Sequence, residues 1–437
     1  MPYLFYYGLA TALLLVACQP SQQKQPSAIT EVQDTIVVSE PDSLVSLKLA
    51  FVGDIMGHTN QIRSAAGDPQ YFKSKDQSVF DYELCFRYIS PILAQADIAV
   101  GNLELTLSNK GRYTGYPMFR SPDALAVALK QASFDVLSTS NNHSNDGGKY
   151  GLLHTLEVLD SLGIAHTGTF RDTSERDSLY PLLIEKEVDG VTFRLAFLNY
   201  TYATNGVFAK SPTFVNWIDT ALMSQDIEKA KALQPDIIIA LMHWGHEYHL
   251  DEYHTQQAIA QFLGKKGVDV IIGGHPHVIQ PIKMDTVWTV DSSQQREVLV
   301  AYSLGNFISN QYRPNTDLGL LFELELIKHR KQNTLSLGKH NYVFTWRYVY
   351  GRDIDSLQKG FDWKYSVLPV AAFEQGKGQE LVPLGTYDSL AMAEVTQYLR
   401  AHMAQYYSEE RKVNLSELGA VAPFFSKEQK DTLPMLE

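Results

Sequence analysis

The sequence predicts an α/β fold in which a layered β-sheet is flanked by helices. Two observations lead to this prediction. Short apolar runs alternate with helical segments along the chain, and several runs end in Gly, Asp or Asn, as buried strands do. Of the 437 residues, 45% are hydrophobic and 20% are charged. This is the composition of an ordinary globular protein rather than of a disordered tail or a fibre.

The chain begins with a segment typical of an export signal. Residues 4–17 are apolar or small, a length that suits the core of a signal peptide and is short for a membrane span. The segment ends in Leu15-Val16-Ala17-Cys18, which resembles the lipobox of bacterial lipoproteins. We therefore expect residues 1–17 to be a signal peptide and Cys18 to be lipidated. The alternative is a buried first strand or helix that contains a Cys by chance.

Residues 18–45 are expected to be the lipidated Cys followed by a polar tether. Gln, Ser, Pro and Thr are frequent in this segment, and no apolar period is sustained. Two acyl chains on one Cys anchor a protein stably in a membrane. The sequence thus predicts a membrane-anchored lipoprotein of the cell envelope that faces the periplasm or the cell surface.

Residues 46–330 are predicted to form the main domain, because strands and helices alternate throughout this range. The Asp189-Gly190 pair predicts a hairpin with a primed turn between two of the strands. Strands are predicted over residues 47–56, 97–104, 134–142, 182–188, 191–200, 236–243, 268–275, 298–304 and 320–327. Helices are predicted over residues 82–96 with a break at Pro91, 122–132, 150–162, 220–233 and 252–265.

Residues 331–437 are predicted to form a C-terminal α+β extension that ends in a helix near residues 389–406. The pattern of apolar residues there leaves two alternatives open. The extension is either a separate appendage or a continuation of the packing of the main domain.

Charge and cysteine content exclude several classes of function. The chain has 37 basic and 49 acidic residues, a net charge of −12. Sequence-independent binding to nucleic acid needs clustered Lys and Arg, so nucleic acid is not an expected partner. Cys18 and Cys85 are the two cysteines of the sequence, which is too few for a Cys-ligated zinc module or a disulfide scaffold.

Ligand-capable side chains occur where the predicted strands stop. They are Asp54, Asn102, Glu104, Asn142, His143, His243, His275 and His277. The carboxyl ends of strands in α/β sheets form the crevice where ligands bind, so we expect these residues to converge in one cleft. Taken singly, each has a structural explanation, since Asp54 can cap a helix, His143 can lie in a turn and His275-Pro276-His277 can be a rigid loop.

Together, these side chains form a mixed nitrogen and oxygen donor set. Such a set suits Zn, Mn or Fe, and two neighbouring ions would clamp a phosphoryl group and supply hydroxide. Four further histidines are expected on the surface or on helix faces, outside any metal site: His154, His246, His249 and His254.

Six motifs that contain these residues follow one another in order. They are Gly53-Asp54-Ile55-Met56, Gly101-Asn102-Leu103-Glu104, Asn141-Asn142-His143 with Asp146, His243-Trp244-Gly245 with Glu247, Gly274-His275-Pro276-His277, and Gly305-Asn306-Phe307. Over roughly residues 47–325 the chain resembles the CapA (PgsA) family of capsule and poly-γ-glutamate biosynthesis proteins, within the calcineurin-like metallophosphatase superfamily. The resemblance implies a metallophosphatase-like β-sandwich flanked by helices, and a divalent cofactor of one or two Mn, Zn, Fe or Mg ions.

The resemblance also implies roles for individual residues. It makes His143 and Asp146 the catalytic pair, with His143 protonating the leaving group, and places Asn102, Glu247 and Asn306 in the same cleft. It implies that His243 and His275 bind one ion and His277 the other. The metal ligands that it implies are Asp54, Glu104, Asn142, His243, His275 and His277.

Two positions depart from the superfamily pattern. Met56 stands where a His is usual, and Asn102 stands in the motif that normally supplies the bridging carboxylate, so that Glu104 or Asn102 must serve. One metal site has therefore lost ligands, and we expect either one ion or a weakly loaded second site. His58, four residues after Asp54, is a candidate replacement.

Three functions are compatible with these observations. The first is a metal-dependent hydrolase that acts on a phosphoester or on an amide or glutamyl bond, with an anionic polymer or a phosphoester as substrate. The second is a non-catalytic surface accessory protein that binds a polymer or its synthase. The third is a glycan-binding role that uses exposed residues among the 24 Tyr.

The predicted lipid anchor can be tested directly. Cys18→Ala should release the protein from membranes or leave its precursor uncleaved, because the acylated thiol is lost. Membrane fractionation and the mass of the mature protein measure both effects, with Cys85→Ala as the matched control. Unchanged processing and unchanged membrane partition of Cys18→Ala would contradict the prediction.

Overall fold

Two β-sheets face each other in this protein, and helices cover their outer surfaces. The structure is a computed structural model that describes residues 43–351 and 360–424. The predicted signal peptide, Cys18 and most of the predicted tether lie outside the described residues. Within the described ranges, no helix is both long enough and apolar enough to cross a membrane.

The described strands include all nine that the sequence predicts and nine further ones. They are β1 (Leu44–Ile55), β2 (Ile98–Leu103), β3 (Thr106–Ser108), β4 (Arg120–Pro122), β5 (Val136–Ser138), β6 (Ala165–Thr167), β7 (Thr169–Phe170), β8 (Leu182–Val188), β9 (Val191–Thr201), β10 (Phe214–Val215), β11 (Ile237–His243), β12 (Val270–Gly274), β13 (Ile282–Trp288), β14 (Gln295–Ala301), β15 (Asn306–Ile308), β16 (Leu318–His329), β17 (Leu335–Tyr350) and β18 (Lys364–Pro369).

The helices include every predicted one, and the break expected at Pro91 separates α2 from α3. They are α1 (Thr59–Ala66), α2 (Glu83–Phe86), α3 (Ser90–Leu93), α4 (Ala124–Gln131), α5 (Gly148–Ser161), α6 (Thr173–Leu179), α7 (Thr220–Ala232), α8 (His254–Lys266), α9 (Val370–Phe373) and α10 (Thr386–Met403). The first, sixth and ninth helices were not predicted, because all three are short.

The first sheet has the strand order β18-β17-β16-β1-β2-β5-β6, with β15 also paired to β1. Strand β1 runs parallel to β2 and β15 and antiparallel to β16. Strands β17 and β18 continue this sheet in antiparallel pairs. The residues that follow position 330 therefore extend the packing of the main domain, which is one of the two alternatives that the sequence left open.

The second sheet has the order β13-β14-β12-β11-β9-β8. Its four central strands are parallel, and β8 and β13 are antiparallel edges. The predicted hairpin joins β8 to β9. Its turn residues, Asp189 and Gly190, have φ angles of 47° and 72°, as the two central positions of a type I′ turn require.

Alternate side chains of the second sheet belong to two different cores. One face, which includes Leu195, Ile239 and Ile272, shares a buried apolar cluster with residues of the first sheet such as Phe51. The opposite face packs on α7 and α8 in a second cluster. This period of two residues produces the layered α/β arrangement that the sequence predicts.

Strand β1 approaches the turn before β15 very closely at Gly53, just before the first candidate ligand. A Cβ atom at Gly53 would lie 1.8 Å from the carbonyl oxygen of Gly305, which also accepts the Asp54 N–H at 3.0 Å. Only a residue without a side chain fits this contact. The contact fixes the end of β1 against the turn before β15.

We predict that Gly53→Ala lowers the free energy of unfolding by roughly 1–3 kcal/mol, the usual cost of an overpacked site. The backbone must also shift at Asp54, so metal affinity should fall with it. Chemical denaturation measures the first effect and metal titration the second. Lys186→Ala, at a strand position on β8, is the control, and equal stability of the two variants would contradict the prediction.

Candidate metal centre

The carboxyl ends of strands from both sheets meet at one edge of the sandwich. Asp54 lies near the end of β1, His243 ends β11, and Glu104 follows β2 by one residue. Asn142 lies beyond β5, and the segment with His275 and His277 follows β12. All six predicted ligands are buried, none more than 3% exposed. The structure therefore brings together the residues that the sequence predicted to converge.

Asp54 connects several of these residues. Its Oδ2 atom accepts the His275 backbone N–H at 3.1 Å and lies 3.1 Å from His277 Nδ1. Its Oδ1 atom accepts a hydrogen bond from Asn102 Nδ2 at 2.8 Å. Burial on its own raises the pKa of Asp54, but the hydrogen bond from His277 and the surrounding donors outweigh burial, so the pKa lies below its ordinary value. Asp54 caps no helix, since α1 begins after His58.

Glu104 is the least compensated charged group in the cleft. Both of its carboxylate oxygens are buried without a hydrogen-bond partner among the described residues. Oε1 lies 3.6 Å from His243 Nε2 and 3.8 Å from His277 Nε2. Burial, with Asp54 nearby, raises the pKa of Glu104 well above its ordinary value. A buried carboxylate in this state costs free energy unless a cation or a proton accompanies it.

The donors form two overlapping groups that share Glu104. One group contains Glu104, His243 and His275, and the other contains Asp54, Glu104 and His277; within each, the ligand atoms lie within 4.8 Å of one another. The Oδ1 atom of Asn142 lies 2.8 Å from His243 Nε2, beside the first group. Carboxylate, imidazole and amide donors at these separations fit one divalent ion or two that share a carboxylate.

The histidines are in the chemical form that binds metals. Burial lowers the pKa of His243 to about 3 and that of His275 well below its ordinary value, so both imidazoles are neutral near pH 7. The Nδ1 atom of His275 is buried without a partner among the described residues. Neutral imidazole nitrogens with free lone pairs are the usual histidine ligands.

The loop after β12 is strained. His275 and His277, on either side of Pro276, have φ angles of 94° and 59°. Residues other than Gly rarely adopt this left-handed region, and each such residue costs about 1–3 kcal/mol. The contacts of Asp54 with both histidines hold the loop in place, which turns both rings toward Glu104.

The structure resolves the two departures from the superfamily pattern. Asn102 donates to Asp54 and lies 3.3 Å from His243 Nδ1, while its Oδ1 atom accepts from Ser138 and Asn141. Asn102 therefore orients ligands, and Glu104 holds the shared carboxylate position.

His58 does not replace the ligand that is missing at Met56. Its Nδ1 atom lies 3.1 Å from the Asn310 backbone nitrogen and 3.2 Å from Gln61 Oε1, and burial lowers the pKa of His58 to about 3. His58 also belongs to none of the donor groups described above.

His143 and Asp146 are in direct contact beside the metal ligands. His143 Nδ1 lies 2.7 Å from Asp146 Oδ2, and the same carboxylate accepts the Phe119 N–H. The backbone N–H of His143 is bound by Asn141 Oδ1 at 3.1 Å. These contacts fix the ring, and His143 lines the open cleft together with Met56 and His277.

The other predicted cleft residues lie at the edge of the site. Asn306 Oδ1 is 3.1 Å from His277 Nδ1, so Asn306 orients that ligand. Glu247 is exposed and forms a further donor group with His275 and His277. Of the four histidines set aside, His154 binds Asp123 at 2.8 Å on α5, and the other three are exposed.

Sequence reasoning missed the aromatic residues around the ligands. The Tyr202 ring lies 4.5 Å from the His275 ring, and the Tyr248 ring lies 6.2 Å from the His277 ring. Both tyrosines follow strand β9 or β11 at positions with no periodic pattern. In the sequence, Tyr248 is marked only by its place after Glu247 in the motif of His243, and nothing marks Tyr202.

The chain belongs to a family of bacterial capsule synthesis proteins. The sequence pattern of the bacterial capsule synthesis protein family PGA_cap matches residues 48–311, which is more than half of the chain. The chain is therefore a member of the PGA_cap family, as the resemblance implied.

Two relatives have the same level of identity. The chain is 27% identical over 292 residues to the PGA biosynthesis protein CapA of Bacillus subtilis (strain 168), covering 65% of this chain and 68% of the relative. It is 27% identical over 280 residues to the capsule biosynthesis protein CapA of Bacillus anthracis, covering 61% and 60%. Among solved structures, the NAD nucleotidase of Haemophilus influenzae has a TM-score of 0.40 and 14% identity, covering 70% and 52%.

The compensation of Glu104 generates a prediction about metal binding and stability. Glu104→Gln should lose metal, because the shared carboxylate is gone. Without metal, however, the variant should be more stable than the wild type by about 1–3 kcal/mol, because no uncompensated carboxylate is buried. Metal analysis and denaturation in chelator measure the two effects, with the exposed Glu187→Gln as control. A metal-free Glu104→Gln protein less stable than the wild type would contradict the prediction.

The difference in stability between the metal-free wild type and Glu104→Gln should depend on pH. The raised pKa of Glu104 means that the folded metal-free protein keeps a proton that the unfolded chain releases above the ordinary pKa of 4.5. The free energy of unfolding of the metal-free wild type therefore falls as pH rises from that value. The advantage of Glu104→Gln should be larger at about pH 8 than at about pH 4, and a pH-independent difference would show that Glu104 does not titrate in this way.

Proposed function

We propose that this protein is a cell-envelope lipoprotein of the CapA type with a metal-dependent hydrolase site, involved in the synthesis of capsule, poly-γ-glutamate or a related surface polymer. The bond that it cleaves is a phosphoester or an amide or glutamyl bond. The observation that carries the proposal is the buried and unpartnered carboxylate of Glu104 among the imidazoles of His243, His275 and His277. Without a cation, this carboxylate must take up a proton to offset the cost of its burial.

The residues of the chain have separable tasks in such a site. Asp54, Glu104, Asn142, His243, His275 and His277 would hold the ion or ions. When bound, a divalent ion supplies a Lewis acid and a source of hydroxide near neutral pH. Asn102 and Asn306 orient the ligands through hydrogen bonds.

His143 is suited to proton transfer in this arrangement. Its Nδ1 atom faces Asp146 at 2.7 Å, so Nε2 is the nitrogen left for the cleft. It stands beside the metal ligands and belongs to none of the donor groups. A positioned acid at this point can deliver a proton to the leaving group of a substrate in the cleft.

A second function is favoured by a different observation. Met56 contributes no imidazole beside Asp54, and His58 belongs to none of the donor groups. The group of Asp54, Glu104 and His277 therefore gains no ligand from either residue, and weak loading of this group with metal would leave the site inactive. In that case the protein is a non-catalytic accessory that binds a polymer or its synthase on the same scaffold.

The relatives and the N-terminal sequence support a location of the protein at the cell envelope. Both named relatives are described as capsule or PGA biosynthesis proteins. A lipid anchor at Cys18 would hold the domain at the membrane, where a polymer synthase complex and an anionic polymer or phosphoester would be within reach.

The proposed activity is tested on the soluble protein of residues 19–437. Metal content is measured after purification, followed by a screen of phosphoester and γ-glutamyl substrates with and without chelator. We expect bound Mn, Zn, Fe or Mg and a hydrolysis that the chelator abolishes. Metal without hydrolysis would favour the accessory function, and the absence of both would contradict the proposal.

We predict a division of roles between two histidines of the cleft. His143→Ala should keep its metal and lose roughly 10²–10⁴ in rate, the usual contribution of a positioned acid or base. His275→Ala should lose both metal and rate, because His275 belongs to the donor group with Glu104 and His243. Metal analysis and steady-state kinetics separate the two effects, and His254→Ala on α8 is the control. Loss of metal in His143→Ala would contradict its assignment.

A further inference from the structure

We propose that Arg313 and Tyr248 form a recognition subsite for an anionic group of an extended polymer chain, next to the metal ligands. The inference rests on the proposed function and names the substrate class of that site. The subsite would favour a chain with repeated carboxylate or phosphate groups over a small phosphoester.

The first observation is the charge of the cleft. The cleft in front of the metal ligands has a volume of about 650 Å³, and Arg313 is the one Lys or Arg among its described lining residues. The chain as a whole carries a net charge of −12, and Glu247 lines the same cleft. A polyanion is repelled by most of this surface, so a cationic group at the entrance decides where it can bind.

The second observation is that the charge of Arg313 is available. The guanidinium carbon lies 5.6 Å from the centroid of the Tyr248 ring, in a cation–π contact. Arg313 is exposed, and no ion pair joins it to a carboxylate of the described residues. A planar guanidinium held by stacking keeps its donors for a ligand, and it matches carboxylate and phosphate groups in two-point contacts.

The third observation links this subsite to the metal ligands. Tyr248 has a φ angle of 67°, a strained conformation for a bulky residue, and its N–H donates to the carbonyl oxygen of Pro276 at 2.8 Å. Pro276 lies between His275 and His277. The Tyr248 ring that contacts Arg313 is therefore bound to the same loop that carries His275 and His277. This contact places Arg313 at a defined position relative to these two candidate ligands.

The fourth observation is a second cavity that shares three lining residues with the cleft. Residues 311–313 also line a second cavity of about 460 Å³, which continues to α10. Glu394 and Tyr398 of α10 and the side chain of Arg347 line this second cavity. A small phosphoester would occupy only the part near the metal ligands, whereas an extended chain can pass over residues 311–313 into the second cavity.

The proposal is tested by direct binding to the soluble protein of residues 19–437. The probes are fluorescent poly-γ-glutamate, fluorescent polyphosphate and neutral dextran, measured by anisotropy against the wild type, Arg313→Ala and Arg313→Lys. Lys265→Ala, on α8 and remote in the fold, removes one positive charge as the matched control. Bound metal and thermal stability are measured for every variant.

We expect Arg313→Ala to weaken binding of at least one anionic chain by about tenfold or more, since bonds to charged groups are among the strongest of this kind. Its metal content should equal that of the wild type. Arg313→Lys should recover part of the affinity, because it keeps the charge and loses the planar fork. The stronger of the two anionic probes identifies carboxylate or phosphate as the recognised group.

Two results would overturn the subsite. One is equal affinity of the wild type and Arg313→Ala for both anionic chains, and the other is equally tight binding of dextran. These outcomes are distinct from failure of the proposed hydrolase. If the wild type has neither metal nor hydrolysis but Arg313→Ala weakens polymer binding, the subsite is supported and the hydrolase is not. If the protein is a hydrolase but Arg313→Ala leaves polymer binding unchanged, the subsite is rejected and the hydrolase stands.

Discussion

Both carboxylate oxygens of Glu104 are buried where the two sheets meet, and no hydrogen-bond donor of the described chain reaches them. The surrounding groups make this position more costly, because Asp54 carries a second carboxylate nearby. Three imidazoles stand around these carboxylates, and burial keeps those of His243 and His275 neutral near pH 7. Folding gathers these groups only if a cation, or a proton on Glu104, offsets the cost. The local stability of the cleft therefore depends on what occupies it.

The sandwich explains how such a cluster can form. Parallel strands of each sheet end at the same edge, so residues from distant parts of the chain arrive together without long connecting loops. Gly53 lets β1 approach the turn at Gly305, and this contact positions Asp54 to bind the loop of His275 and His277. The strain in that loop is held by the rigid layers on either side. A single sheet would supply only half of the ligands.

Much of the fold and the core of the site could be predicted because both follow from local patterns. Apolar runs with a period of two and polar residues at their ends predicted the strands, and the order of motifs predicted the gathering of Asp54, Glu104 and His243. The contacts of Arg313 and Tyr248 could not be predicted. They depend on loops whose course is set by tertiary packing, and one of the two residues adopts a backbone conformation that its residue type disfavours. The candidate role of His58 failed for the same reason, since tertiary packing places His58 outside the donor groups.

The departures at Met56 and Asn102 have a consistent physical meaning. Replacing a carboxylate by the Asn102 amide removes one negative charge from a cluster that already contains Asp54 and Glu104. The amide also supplies a donor for Asp54, which a carboxylate could not. The absence of an imidazole at Met56 leaves one side of the donor group of Asp54, Glu104 and His277 facing the cleft. Asp54, Glu104 and His277 would hold an ion there, and Tyr248 and Arg313 line the same cleft. The missing imidazole at Met56 and the proposed anion recognition at Arg313 are thus two properties of the same cleft, because both residues line it.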